Sequence, residues 1–299
     1  MLVILEATLQ GWTGPSSTTE KEKQDRTERM IRAAVDEHEA FSNMAFDIYA
    51  KGSYANDTNV RSDSDVDIVV ECQECIYWQE HDPVAGGHPP SGSYDGDWTP
   101  QKLRFEVGQA LRAKFGASAV TEGKAAWTVG TSTARVDADV VPCFTYQYYF
   151  EDGTYREGTK LFTTAGKQIE NFPKLQLMHG RAKNARTNHF YKKSVRILKR
   201  LENKMTAEGV CDNVPSYLLE CLVYNVPNEV FARSSWRGVM RGVLAHAYND
   251  LIESEPTVQN DRFIEPNEAK YLFDISQKWT RDGVLKFVGE AWDYMDFDA

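Results

Sequence analysis

Two aspartates, Asp65 and Asp67, lie two residues apart at the start of the apolar run Ile68-Val69-Val70. If that run is a β-strand, alternate side chains share a face, and both carboxylates project from the same side. Carboxylate oxygens suit Mg²⁺, which keeps open positions for substrate phosphates. The spacing therefore predicts a divalent-cation site. The alternative is an acidic loop that leads into an ordinary half-buried strand.

A glycine–serine pair, Gly52-Ser53, precedes these aspartates. Glycine permits close backbone approach, so a tight turn here can place N–H groups and a hydroxyl beside a phosphate. The triplet Gly92-Ser93-Tyr94, followed by Asp95-Gly96-Asp97, repeats the letters. No apolar run follows that copy to build a strand, so we expect it to be a loop.

A third carboxylate is expected on the run 134–142, which carries Asp137 and Asp139 on one face if it is a strand. If the cation site holds two metal ions, it needs this further negative ligand, because the metal nearer an attacking hydroxyl would require more carboxylate oxygen. The spacing alone leaves both aspartates open as the ligand.

Three stretches together resemble the cGAS/DncV-like nucleotidyltransferases, a family of the polymerase-β-like nucleotidyltransferase superfamily. They are GSYANDTNVRSDSDVDIVV from Gly52, VRILKRLE from Val195 and PSYLLE from Pro215. In that family the third aspartate stands three residues before a proline, as in Asp-Val-Val-Pro. The resemblance therefore points to Asp139, with Asp137 as the alternative.

The resemblance implies an enzyme that condenses NTPs, ATP among them, into a cyclic di- or trinucleotide second messenger in bacterial anti-phage signalling, with release of pyrophosphate. Asp65, Asp67 and Asp139 would be the catalytic residues and would hold two Mg²⁺ ions, with Mn²⁺ as an alternative. A separate effector protein would respond to the product, and partner proteins could regulate the enzyme. Two other interpretations stay open: transfer of a nucleotide to an RNA end, small molecule or protein, and an inactive nucleotide-binding scaffold.

A cationic face is predicted on a helix over 183–205, formed by Lys192, Arg196, Lys199 and Arg200 at three- and four-residue steps. Charge runs of this kind are usually solvated faces. The resemblance implies a second interpretation, in which part of this face binds the nucleotide.

The nucleotide-binding residues implied by the resemblance include a helix lysine followed by Ser-Tyr. The lysine and the serine hold the donor triphosphate, and the tyrosine stacks on a base. The positions that match this pattern are Lys199, Ser216 and Tyr217. We also expect Arg196, Gly52 and Ser53 to bind the nucleotide. Without the resemblance, Ser216 is equally a helix cap and Tyr217 equally a core aromatic.

Composition excludes several classes of protein. The chain has 299 residues, 41% hydrophobic and 26% charged, and a net charge of −10, which argues against coating of duplex nucleic acid. No apolar run approaches the roughly 18 residues of a membrane span. Without a recognisable signal peptide or a cysteine framework, we expect a cytoplasmic protein with reduced thiols.

One pattern could bind zinc: Cys72-x-x-Cys75 followed by His81 and His88. The histidines are spaced more widely than zinc-binding pairs usually are, so zinc is the less favoured interpretation.

The expected fold is α+β and bilobed: a polymerase-β-like nucleotidyltransferase core, with a mixed sheet and helices, plus a C-terminal helical lobe. Residues 1–160 would form the catalytic lobe, with a long N-terminal helix that begins at Ser17 and reaches Met44. Residues 161–299 would form a helical lobe that closes the nucleotide cleft. We also predict a loop over 74–99 and a helix that begins at Pro266.

Overall fold

The computed structural model describes residues 4–15, 17–60, 65–81, 93–253, 262–275 and 277–298. The α-helices within these ranges are α1 (Glu6–Gly11), α2 (Thr18–Asp36), α3 (Gly52–Ala55), α4 (Pro100–Phe115), α5 (Pro173–Arg186), α6 (Phe190–Ala207), α7 (Ser216–Asn225), α8 (Trp236–Ile252) and α9 (Arg281–Tyr294). The strands are β1 (Phe46–Lys51), β2 (Val66–Glu80), β3 (Val120–Glu122), β4 (Trp127–Val129), β5 (Ala138–Tyr149), β6 (Tyr155–Phe162) and β7 (Gln168–Asn171). In the described part of the chain, no helix has the length and apolar composition needed to cross a bilayer.

The strands form one mixed sheet in the order β1-β2-β5-β4-β3, and β6 and β7 continue from β5. Strands β2 and β5 are parallel, and the other neighbours are antiparallel. The helices that follow β7 in the chain complete the predicted α+β architecture. The expectation of a mixed sheet with a C-terminal helical part is therefore confirmed.

The two faces of β2 and β5 belong to different apolar clusters. Ile68 and Val140 join the larger cluster, which includes side chains of α2 and α4. Val69 and Val141 belong to a smaller cluster on the other face. Because side chains alternate along a strand, Asp67 and Asp139 project to the face of the smaller cluster, opposite the face that packs against α2 and α4.

Internal contacts divide the chain into two compact units. The sheet unit comprises residues 16–55 and 61–174, and the helical unit comprises residues 1–15, 56–60 and 175–299. The short segment 56–60 thus belongs to the helical unit, although the chain on both sides of it belongs to the sheet unit. The predicted boundary at 160/161 assumed continuous lobes, whereas the last change of unit falls after residue 174.

The predicted N-terminal helix begins where expected, since the Ser17 hydroxyl accepts a hydrogen bond from Glu20 N at 3.3 Å. Its predicted extension to Met44 is wrong. The helix ends at Asp36, and His38 has extended backbone angles before a short 3₁₀ turn at Glu39–Phe41. Asn43 then takes a positive φ of 61°, which does not continue a right-handed helix.

The predicted helix over 183–205 is two helices, α5 and α6. Asn188 and His189 lie between them with positive φ angles of 49° and 66°. Two consecutive residues in the left-handed region end one helix and redirect the chain into the next.

The helix predicted from Pro266 is absent from the described residues 262–275 and 277–298. The Asn267 side chain accepts hydrogen bonds from the N–H groups of Ala269 and Lys270, and Glu268 has a φ of 53°. Such local side-chain bonds compete with helix formation. Ile275, which follows this segment, is fully exposed.

Strand β2 is longer than predicted and occupies the beginning of the predicted 74–99 loop, because residues 76–80 pair with β5 beyond an irregularity at Cys72–Ile76. Strands β1, β6 and β7 and helix α8 were not predicted. Residues 82–92 of the predicted loop, including His88 and Gly92, lie outside the described residues.

Candidate active site

Two predicted metal ligands, Asp67 and Asp139, are register partners on the adjacent parallel strands β2 and β5. Strand β4 fixes one of them, since Thr128 lies opposite Asp139 and its hydroxyl donates to Asp139 Oδ1 at 2.7 Å. Asp137 precedes β5, and its carbonyl oxygen accepts a hydrogen bond from Val66 N at 3.0 Å. The register therefore places Asp139, rather than Asp137, beside Asp67.

The Asp67 carboxyl lies in an unfavourable environment for a negative charge. Burial raises its pKa above the ordinary value; Lys51 opposes the shift, and the carboxylates of Asp139 and Asp65 add to it. Lys51 is the register partner of Asp67 on β1, and Asp65 is exposed just before β2. A cation bound here would relieve the repulsion that raises the pKa of Asp67.

Gly52 lies against the Asp67 carboxylate. It has a φ of 71°, and a methyl group on its Cα would overlap Asp67 Oδ2. Glycine is thus required here both for its backbone angle and for its lack of a side chain. It begins the short helix α3, which also contains Ser53, so the structure brings the predicted glycine–serine turn to the predicted metal ligands.

The donor set fits part of a magnesium site. No three Asp, Glu, His or Cys side chains of the described residues are grouped to ligate one ion. Asp67 and Asp139 supply two carboxylates on neighbouring strands, with the bare Cα of Gly52 beside Asp67. Mg²⁺ completes such a partial site with water and substrate phosphates.

The zinc pattern gains no support in the described residues. Cys72 and Cys75 are both buried free thiols. Burial raises the pKa of Cys72 to about 11 and also raises the pKa of Cys75, which opposes the thiolate form that zinc requires. The ring of His81 is hydrogen-bonded to the Tyr148 hydroxyl at 2.9 Å.

Two cations predicted to bind nucleotide are buried in the helical unit. Lys199 is 3% exposed; its Nζ donates to Thr58 O at 3.1 Å and lies 3.6 Å from Glu220 Oε2. The guanidinium of Arg196 donates to the carbonyl oxygens of Thr13 and Asp57. Both side chains hold the protein's own backbone, and their role toward a nucleotide stays a prediction.

Ser216 and Tyr217 begin helix α7. Ser216 is exposed beside the N–H groups of the first turn, which a helix leaves without intrahelical partners. Tyr217 packs against the core of the helical unit, and its hydroxyl donates to Glu265 Oε2 at 3.0 Å. Ser216 is thus presented to solvent, whereas Tyr217 has the contacts of a partly buried aromatic.

Sequence reasoning missed Glu220, a buried carboxylate of α7 that accepts hydrogen bonds from Asn56 and Thr58. The available signal was a charge inside the apolar run Leu218-Leu219-Glu220-Cys221-Leu222, since a buried carboxylate requires partners. Nothing in the sequence indicated that the partners lie at 56–58.

Comparison with known proteins identifies the family of the chain. A family model described as the cGAS/DncV-like nucleotidyltransferase C-terminal helical domain matches residues 178–296. The cyclic dipyrimidine nucleotide synthase CdnE of Legionella pneumophila is 34% identical, over 99% of this chain and 99% of its own length.

Two solved structures resemble the whole chain. The Elizabethkingia meningoseptica CdnE cyclic dinucleotide synthase, with GTP and Apcpp, has a TM-score of 0.80 at 30% identity, over 98% of this chain and 99% of that one. The Rhodothermus marinus CdnE c-UMP-AMP synthase, with Apcpp and Upnpp, has a TM-score of 0.83 at 28% identity, over 98% and 97%.

The family and the activity predicted from the sequence are confirmed by these likenesses, which span nearly the full length of each protein. The chain therefore belongs to the cGAS/DncV-like nucleotidyltransferase (CD-NTase) family, as a CdnE-type cyclic nucleotide synthase that makes cyclic dinucleotide second messengers.

Proposed function

We propose that this enzyme makes a cyclic dinucleotide containing at least one pyrimidine, and that the reaction takes place at the Asp67–Asp139 pair. The observation that carries the site is the register of β2 and β5, which places the two carboxylates side by side. Two relatives support the pyrimidine, since the Legionella protein is named a dipyrimidine synthase and the Rhodothermus protein a c-UMP-AMP synthase. The Elizabethkingia relative, in contrast, is named a cyclic dipurine nucleotide synthase.

Asp65, Asp67 and Asp139 would hold the metal, as two Mg²⁺ ions or alternatively Mn²⁺. Bound Mg²⁺ supplies a lowered pKa at the attacking ribose hydroxyl and charge neutralisation at the donor phosphates. Thr128 keeps the Asp139 carboxylate oriented through its 2.7 Å hydrogen bond. The Gly52–Ser53 turn offers backbone N–H groups and a hydroxyl to a phosphate next to Asp67.

The donor nucleotide would also use residues of the helical unit. Ser216 offers a hydroxyl at a helix N-terminus, where anions are favoured. Tyr217 offers an aromatic face, and Lys199 and Arg196 contribute positive potential. A direct bond from Lys199 to a phosphate requires its ammonium group to leave Glu220 and Thr58. We further propose that a separate effector protein reads the product.

The test is a product survey. We would incubate the purified protein with Mg²⁺ and each NTP alone, then with every pair of NTPs, and treat the mixtures with phosphatase. We expect a phosphatase-resistant product only in mixtures that contain UTP or CTP. Resistant product from ATP and GTP alone would contradict the pyrimidine assignment and leave the enzyme class intact.

The same assay identifies the carboxylates. Asp67→Asn and Asp139→Asn should reduce synthesis at least about 100-fold, because each removes a charged ligand. Asp137→Asn is the matched control and should retain synthesis. Activity lost in Asp137→Asn but kept in Asp139→Asn would reverse the assignment of the third ligand.

A further inference from the structure

Glu220 is the centre of a buried polar cluster in the helical unit. The residue is 1% exposed. One carboxylate oxygen accepts from Asn56 Nδ2 at 2.5 Å and Gln176 Nε2 at 3.1 Å. The other accepts from Thr58 Oγ1 at 2.7 Å and lies 3.6 Å from Lys199 Nζ. The sequence motif that contains Ser216 and Tyr217 thus also contributes a carboxylate that faces the protein interior.

The cluster is an anchor for the segment 56–60. Asn56 and Thr58 are fully buried, and Lys199 donates to the Thr58 carbonyl oxygen at 3.1 Å. Gly180 of α5 makes room for the segment, since a methyl group on it would come within 3.0 Å of Asn56 Oδ1. A buried carboxylate held by several donors is costly to disturb, because loss of one partner leaves charge uncompensated.

The anchored segment follows the glycine–serine turn directly. Asn56 comes immediately after α3, three residues beyond Ser53. Three residues span at most about 10 Å even when fully extended. A displacement of Asn56 therefore reaches Ser53 through the peptide chain, and with it Gly52, which lies against Asp67.

We propose that Glu220 is a positioning residue for synthesis: through Asn56 and Thr58 it holds the chain at the exit of the Gly52–Ser53 turn. This rests on the proposed role of that turn and of Asp67 in holding triphosphate and Mg²⁺. Loss of the anchor raises the NTP and Mg²⁺ concentrations that the enzyme requires, and leaves turnover at saturation largely unchanged, since no reacting group is removed.

Thr58 provides the sharpest test, because valine has nearly its shape and lacks the hydroxyl. Thr58→Val removes one donor to Glu220, and Thr58→Ser keeps it. In Thr58→Val we expect KM for NTP and the half-saturating Mg²⁺ concentration to rise about fivefold, a fraction of the effect of losing a bond to a charged group. In Thr58→Ser both quantities should stay within about twofold of wild type, and kcat should be similar in all three proteins.

Glu220→Gln is the second arm, since it removes the charge and keeps most of the shape. Glu253→Gln makes the same change at an exposed position and is its control. We expect Glu220→Gln to show the same rise in KM and Mg²⁺ requirement, and Glu253→Gln to match wild type. If Glu220→Gln fails to fold, the Thr58 pair still decides.

Three results would overturn the proposal. The first is a lower melting temperature in Thr58→Val with unchanged KM and Mg²⁺ requirement, which would show that Glu220 has only a structural role. The second is a lower kcat in Thr58→Val with unchanged KM. The third is a Thr58→Ser variant that behaves as Thr58→Val does. Failure of the proposed metal site is separate, because it would appear as retained synthesis in Asp67→Asn.

Discussion

At the scale of the residue, the environment of the Asp67 carboxyl is unfavourable for the stability of the folded protein. Its carboxyl is half-buried and near two other carboxylates, and both conditions raise its pKa against the opposing effect of Lys51. An ionised group in such a place destabilises the folded protein until a cation arrives. In the proposed metal site, a bound cation would offset this cost.

Asp67→Asn should consequently be at least as stable as wild type in metal-free buffer, with a melting temperature equal or higher by about 2 °C. Added Mg²⁺ should raise the melting temperature of wild type and leave that of Asp67→Asn unchanged, since only wild type retains the ligand. Differential scanning fluorimetry with EDTA and with Mg²⁺ measures both effects. Equal Mg²⁺ shifts in the two proteins would contradict a metal site at Asp67.

At the scale of the element, helix α4 packs closely against strand β4 at a glycine. A methyl group on Gly108 would overlap the Trp127 ring. The indole Nε1 donates to Arg104 O at 3.0 Å, and the Arg112 guanidinium lies 4.7 Å from the ring centroid. The close approach that glycine allows thus packs the helix against the strand that carries Thr128.

Gly108→Ala should lower the free energy of unfolding by about 1–3 kcal/mol, because overpacking against Trp127 outweighs the gain of up to about 1 kcal/mol in helix propensity. Gly289 in α9 is the control: a methyl group there meets nothing within 4 Å. Gly289→Ala should be neutral or stabilising. Urea denaturation compares the two, and a stabilised Gly108→Ala would contradict the packing argument.

Helices that begin with a capping residue could be predicted from the sequence. Ser17 caps α2, and Thr99 with Pro100 begins α4, as their residue types indicate. The break at Asn188–His189 could not be predicted, because neither residue excludes a helix and only the packed structure holds both at positive φ. The end of α2 at Asp36 carries no glycine or proline signal either.

The candidate site was predictable where it depends on local sequence patterns. Asp67 and Asp139 lie in short patterns that report which face of a strand they occupy. Glu220 and Thr58 are 162 residues apart in the sequence, and only the fold brings them together. Register partners such as Thr128 likewise depend on strand pairing, which one sequence does not reveal.

At the scale of the whole molecule, Lys183 contributes to the pH dependence of stability. Its Nζ donates to Val226 O at 2.8 Å, and burial lowers its pKa to about 8 from 10.5. Between about pH 8 and pH 10.5 the unfolded chain holds a proton that the folded chain has released. Stability from this group therefore rises with pH across that window.

We expect the stability of wild type relative to Lys183→Met to increase by about 2–3 kcal/mol between pH 7.5 and pH 10. Other titrating groups cancel in the difference between the two proteins. Lys278→Met, at an exposed position, is the control and should track wild type. Guanidinium denaturation at several pH values measures the free energy of unfolding. Parallel pH profiles of that free energy for wild type and Lys183→Met would contradict the role of Lys183.

The division of the chain into units bears on recombination between related synthases. A crossover at 174/175 would join the C-terminal helices of one parent to residues 1–15 and 56–60 of the other. Glu220 would then come from one parent and its partners Asn56 and Thr58 from the other, although the crossover lies far from residues 56–58 in the sequence. A chimaera that exchanges the helical part must therefore carry three segments together, and residues 56–60, between α3 and β2, must come from the same parent as the C-terminal helices.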